Sequence, residues 1–293
     1  MTIFINPKTD FAFKKIFGSQ QSHGILISFL NGILYAGNSV ILDLEILNPY
    51  QAPKIRGVKD TYLDIKAKLA TGETVIIEMQ VLNIEGFEKR ILYNAAKAYS
   101  IQLTSGQEYP RLNPVIALTI TDFEMFGEIE AIISRFILKE KTYLIDYPVY
   151  DLELVFVELP KFTQPLEALE TLTEKWIYFL KHAPDLQTIP AIMGDIPEIQ
   201  QAFAIANQAN LSPDELEELE HQAIFIQDQR GAIAKATQQG RQEGRQETQR
   251  EIAQRLLGMM EAEAIAQITG LSLLEIQALR SRSVPDGISP ESD

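Results

Sequence analysis

Three side chains carry the most suggestive chemistry in this chain: Asp64, Glu78 and Gln80, within the stretch TYLDIKAKLATGETVIIEMQ (61–80). Two carboxylates held on rigid strands suit a hard divalent cation, which takes oxygen ligands and keeps several waters. Asp60, four residues before Asp64, is a reserve ligand if the strand extends that far back. The chain has no Cys, so thiolate metal sites and thiol catalysis are excluded. Its three His, at 23, 182 and 221, are too scattered to make a His-rich centre.

The elements that must position these acids are legible from their alternation. Leu63, Ile65, Ala67 and Leu69 form one apolar row, with Tyr62, Asp64, Lys66 and Lys68 on the other face. In the second run Val75, Ile77, Met79 and Val81 alternate with Thr74, Ile76, Glu78 and Gln80. Period-two patterning of this kind predicts two half-buried strands. Putting both odd-numbered rows on one core requires partners whose numbers sum to an even value, since a one-residue slip flips every side chain. The connection must then have an odd number of residues; a three-residue loop with Gly in the left-handed region, supplied by Thr71-Gly72-Glu73, meets that need. The same register predicts Asp64, Glu78 and Gln80 together on one face.

Cations and further polar groups flank the hairpin. Residues 6–17 predict a helix capped by Thr9 or Asp10, with Asp10 and Lys14 four apart and therefore neighbours. A second, apolar helix is expected over 24–35 and a strand over 40–47, followed by a loop bearing Lys54, Arg56 and Lys59 that suits either phosphate or plain solvent. After Gln80 a helix over 87–103 lines up Arg90, Tyr93, Asn94 and Lys97 at i, i+3, i+4 and i+7, as a functional strip or a solvated face. PVIALTI (114–120) reads as a strand buried on both sides, with further strands over 129–138 and 152–159. A helix over 165–182 places Trp176 at core spacing with Leu169 and Leu172.

An Asp on one strand, and a Glu followed two residues later by a polar residue on the next, resembles the PD-(D/E)XK nuclease superfamily. Within it the chain looks like the Rpn group of recombination-promoting nucleases and transposases, through TDFAFKKIFG (9–18), LDIKAKLATGETVIIEMQ (63–80), FEKRILYNAAKAYSIQL (87–103), NPVIALTITDF (113–123) and LELVFVELPKF (152–162). The resemblance covers roughly the first two-thirds of the chain. It implies an α/β, restriction-endonuclease-like core with a mixed central sheet flanked by helices, plus a helical C-terminal extension. It also implies metal-dependent DNA hydrolysis, with Asp64 and Glu78 holding Mg²⁺ (or Mn²⁺). By the same resemblance Gln80 and Asp10 would serve catalysis, while Arg90, Tyr93 and Lys14 would meet DNA; from their own chemistry Lys97 is a catalytic candidate and Lys59 a phosphate contact. Leu63 stands where the superfamily's Pro would be. Gln80 replaces the usual Lys, and an amide orients water but cannot lower its pKa by charge; Lys97 or Lys66 could stand in. Lys66 could instead form a cross-strand pair with Glu78.

Composition bounds the rest. The net charge of −14 is unevenly spread: residues 1–110 carry 11 Lys/Arg and 10 Asp/Glu, whereas 111–239 carry 9 and 21, and 240–293 carry 6 and 9. The acidity lies outside the catalytic segment, yet a near-neutral segment is a modest footprint for phosphate. The expected organisation is a nuclease-like core over 1–162, a helical extension over 163–239 with helices at 198–209 and 213–230, and a charged repeat over 240–258. The repeat suits either an exposed helix with pairs such as Glu251–Arg255 or a spacer. A helix-turn-helix-like hairpin follows over 259–282, with Ser272 and Glu275 as a capping box, and a disordered tail over 283–293. With little to read bases beyond Gln277, that hairpin suits dimerisation or partner docking. No stretch reaches the roughly 18 apolar residues of a membrane span and no signal-peptide pattern opens the chain, so a cytoplasmic location is expected. Besides the endonuclease, two other functions fit: a DNA-binding or transposition-accessory protein with a weakened site, and a protein-interaction scaffold.

Overall fold

In the computed structural model, which describes residues 3–51 and 61–282, the partners of the central hairpin sum to an even number as expected, but the loop lies one residue earlier than Thr71-Gly72-Glu73. Strand β4 (Ile65–Leu69) pairs antiparallel with β5 (Thr74–Gln80) through Ile65↔Ile77, Ala67↔Val75 and Lys68↔Thr74. Leu69 N–H bonds to Glu73 C=O, so the loop is Ala70-Thr71-Gly72, three residues long, and Gly72 takes φ +111°. A side chain there would be strained by that φ and would meet Asn113 Oδ1 at 2.8 Å.

Around this hairpin a six-stranded mixed sheet is built. Its other members are β1 (Leu44–Leu47), β6 (Val115–Thr121), β7 (Ile133–Phe136) and β8 (Leu152–Glu158), in the order β1-β4-β5-β6-β8-β7. β5, β6 and β8 run parallel; the outer pairings are antiparallel. Two short strands, β2 (Tyr50–Gln51) and β3 (Thr61–Tyr62), form a separate ribbon. Every residue of β6 is buried, because helices cover both faces of the sheet.

One layer contains α1 (Asp10–Phe17) and α2 (His23–Tyr35), with α4 (Leu172–His182) and α6 (Pro197–Ala206) later in the chain. Phe17, Phe29, Trp176 and Phe179 pack there as one aromatic cluster. The other layer is α3 (Phe87–Ser100), whose Ala95 and Ala98 pack on Ile76, Val115 and Ala117. The short α5 (Ala191–Gly194) precedes α6.

Several boundaries differ from expectation for identifiable reasons. The strand expected from residue 40 begins at Leu44, since the Asn31 side chain takes the N–H groups of Val40 and Ile41 and the C=O of Ile41. The helix expected from 165 begins at Leu172, where Thr171 and Glu174 form a capping box. The apolar row in 63–69 is broken. Leu63 packs with Ile76 and Ala95 under α3, whereas Ile65, Ala67 and Leu69 belong to the opposite core. A bend at Asp64 causes the change of side.

By contact density the chain divides at Ile226/Gln227, within a single helix, α7 (Pro213–Leu256). The charged repeat at 240–258 is therefore mostly helix, with Glu251 and Arg255 paired at 2.5 Å. In the C-terminal unit α8 (Ala262–Thr269) and α9 (Leu273–Arg282) enclose a small core of Ala253, Ile265, Leu271 and Ile276. Gly270 makes the turn at φ +72°, and the Ser272–Glu275 capping box forms as expected. Among the described residues no helix is long and apolar enough to cross a membrane.

Candidate active site

Asp64 sits at the bend between β3 and β4, where its backbone leaves the regular ladder. Its Oδ2 accepts a hydrogen bond from Met79 N–H at 2.7 Å. From α1, Lys14 Nζ lies 3.6 Å from Asp64 Oδ1 and 2.6 Å from Asp10 Oδ1. The pair at i, i+4 predicted on this helix thus forms, and it faces Asp64. Burial pushes the Asp64 carboxyl up to about 7; the Met79 N–H opposes that, Asp10 adds to it by hydrogen bond and charge, and Lys14 opposes it.

Glu78, on β5, is 9% exposed and engages the other layer. Its Oε1 accepts from Asn94 Nδ2, and Arg90 Nη2 lies 3.7 Å from its Oε2. Burial raises its pKa, against the Arg90 charge and the Asn94 hydrogen bond. Arg90 also donates to Gln80 Oε1 at 2.6 Å, while Gln80 Nε2 donates to Leu82 C=O at 2.7 Å. The cation on Glu78 is therefore Arg90 from α3, not Lys66.

The shared face expected for Asp64 and Glu78 is modified by these contacts: Met79 N–H keeps the two acids side by side, but their carboxylates are held from different layers. Asp64 draws its side-chain partners from α1, Glu78 from α3, and α1 and α3 pack on opposite sides of the sheet. The bend that turns Leu63 toward α3 leaves Asp64 free to face α1. What joins the two acids is the strand itself, because Asp64 is bonded to the N–H next along from Glu78.

The remaining predicted residues fall as follows. Arg90, Asn94 and Lys97 do share a strip of α3, with Tyr93 beside them; Lys97 Nζ donates to Gln51 C=O at 2.8 Å and lies 6.0 Å from the centre of the Tyr93 ring. Lys97 is 7% exposed, so it is an interior ammonium rather than a surface one. Lys59, with Lys54, Arg56 and Asp60, lies outside the described residues. Asn94 received no role from the sequence although its place in the strip was visible; a buried amide bonded to a carboxylate is a contact that spacing does not disclose. Gln51 was likewise unmarked, and it is fully buried with neither side-chain atom hydrogen-bonded among the described residues.

The donor set is consistent with a hard divalent cation. It consists of carboxylate oxygens alone, and burial raises the pKa of both acids, a cost that a bound cation would offset. Among the described residues no group of three or more His, Cys, Asp or Glu is arranged to enclose a metal, so water would complete any shell.

A family model described as PD-(D/E)XK nuclease family transposase matches residues 7–236. No curated protein and no solved structure gives a significant match.

Proposed function

Since the chain belongs to the PD-(D/E)XK nuclease family of transposases, we propose that it is a metal-dependent DNA endonuclease that hydrolyses phosphodiester bonds. The observation that carries the reading is the pair of desolvated carboxylates, Asp64 and Glu78, linked through Met79 N–H and each faced by a cation from a different helix. Asp64 and Glu78 would hold Mg²⁺ or Mn²⁺. When bound, such an ion polarises the phosphate and makes water a better nucleophile at neutral pH.

The chain's own groups do the rest. Lys14 and Asp10 hold Asp64 in place from α1, and Asn94 and Arg90 hold Glu78 from α3. Arg90 and Lys14, both partly exposed, present positive charge where a phosphodiester would bring negative charge. Gln80 orients by hydrogen bonding and supplies no charge. Lys97 and Tyr93 extend the same strip of α3, and DNA is the substrate this strip would meet.

One observation favours a second reading, a DNA-binding accessory protein with a weakened site. The Gln80 amide is engaged on both sides, by Arg90 and by Leu82 C=O. Nicking of supercoiled plasmid in Mg²⁺, Mn²⁺ or EDTA, by wild type, Asp64→Ala and Glu78→Ala, tests the proposal. Metal-dependent nicking that both substitutions abolish is expected. Salt-sensitive DNA binding with no nicking would favour the accessory reading instead.

A further inference from the structure

Next to Glu78 lies a cavity of ≈ 640 Å³, within the roughly 300–1,000 Å³ common for small-ligand sites. Arg90 and Asn94, which both contact Glu78, form part of its wall. Tyr62 and Tyr93 give it aromatic surface, and Lys89 joins Arg90 as a second cation against one acid, Glu85.

Three details narrow what it takes. Tyr62 packs against Tyr50 with ring centres 4.9 Å apart and planes tilted by 34°, and is still 73% exposed, so its ring offers surface to another flat ring. The 14-residue α3 starts at this cavity from Gly86, at φ +80°, with no side chain capping its first-turn N–H groups. Uncapped helix starts favour anions, and Lys89 and Arg90 add charge there. Finally, Asn94 Oδ1 and Thr61 Oγ1 are buried without a hydrogen-bond partner among the described residues, which an apolar ligand would not remedy.

We infer that this cavity receives one unpaired nucleotide, its base on Tyr62 and its phosphate at the start of α3. The substrate is then single-stranded or locally unpaired DNA, because a paired base keeps its faces stacked and a duplex is too large for the space. This rests on the nuclease reading and adds to it the class of substrate.

The test is fluorescence anisotropy with the full-length protein in Ca²⁺ buffer, using one labelled oligonucleotide as a single strand, as an intact duplex and as a gapped duplex. Single-stranded and gapped forms are expected to bind at least about 10-fold tighter than intact duplex. Tyr62→Ala should weaken single-strand binding about 5- to 100-fold, the effect of one base–aromatic stack, with duplex binding unchanged. Tyr62→Phe, which keeps the ring, should bind as wild type. Because Tyr62 is mostly exposed, melting curves of the variants should match wild type. Equal binding of all three forms, or equal weakening of all three by Tyr62→Ala, overturns the inference. Duplex cleavage that needs Asp64 and Glu78 yet shows no preference overturns it while leaving the nuclease reading intact. Binding to none of the forms removes both.

Discussion

Asp64 accepts the backbone N–H of Met79 at 2.7 Å, so the first acid of the candidate site is fastened to the strand that carries the second. Moving either residue moves the other. The bond also takes up the lone pair of a carboxylate that lies out of the ladder, and a buried acceptor left without a donor costs roughly 1–3 kcal/mol.

That relationship separates charge from architecture. Asp64→Asn keeps an oxygen able to accept from Met79 N–H but removes the negative charge. Cleavage should fall on the order of 10²–10³-fold, as when an electrostatic group is removed from a site, while far-UV circular dichroism stays that of wild type. Asp64→Ala should lose activity to the same extent and also melt earlier. An Asn variant as active as wild type would remove Asp64 from the chemistry.

The raised pKa of Asp64 gives a stability profile with a definite sign. Below about pH 4 the carboxyl is protonated in both folded and unfolded chains. From there to about 7 only the unfolded chain ionises. The folded state holds the extra proton, so stability falls as pH rises through this window and the loss is complete above it. Glu78 contributes in the same direction. In EDTA the melting temperature should therefore decline from pH 5 to pH 8, and Asp64→Asn should flatten that decline. Mg²⁺ at pH 8 should raise the melting point of wild type more than that of the variant, since a bound cation restores the ionised form.

Arg90 lowers the Glu78 pKa by charge. Arg90→Ala should move the acidic limb of the pH–rate profile to higher pH, because Glu78 then ionises later. Arg90→Lys, which keeps charge but cannot reach Gln80 and Glu78 as one planar group, should restore the limb only in part. A profile that does not shift in Arg90→Ala would show that Glu78 ionisation does not set the limb.

The sheet has an ionic anchor independent of the site. Glu158 is fully buried, pairs with Lys161 Nζ at 2.6 Å, and accepts from the N–H groups of Met125 and Phe126. Lys161 also donates to Phe126 and Ile129 C=O. Lys161→Met leaves that carboxylate without its cation and should destabilise by about 3–5 kcal/mol, read from urea melts. Adding Glu158→Gln should recover part of the loss. A Lys161→Met protein as stable as wild type would mean that water reaches Glu158.

Local rules in the sequence determined the parity of the hairpin pairing, a three-residue loop containing Gly72 (at 70–72 rather than 71–73), the Ser272–Glu275 cap and the double burial of the strand expected over 114–120. The polar strip of α3 was visible for the same reason: each of these features depends on residues a few positions apart, where periodicity and turn chemistry act directly. The capping box at Thr171, which starts its helix later than the apolar spacing suggests, is equally local. The tertiary structure decided what pairing over distance controls. The bend at Asp64 is invisible to an alternation count, since Leu63 is apolar whichever core receives it; only packing against Ala95 and Ala98 shows the change of side. Likewise the partners of the two acids come from α1 and α3, and Lys97 finds Gln51 C=O across 46 residues of chain. A sequence shows which side chains can ionise; which helix reaches each of them, and how much water is left around it, is set by how the layers close on the sheet.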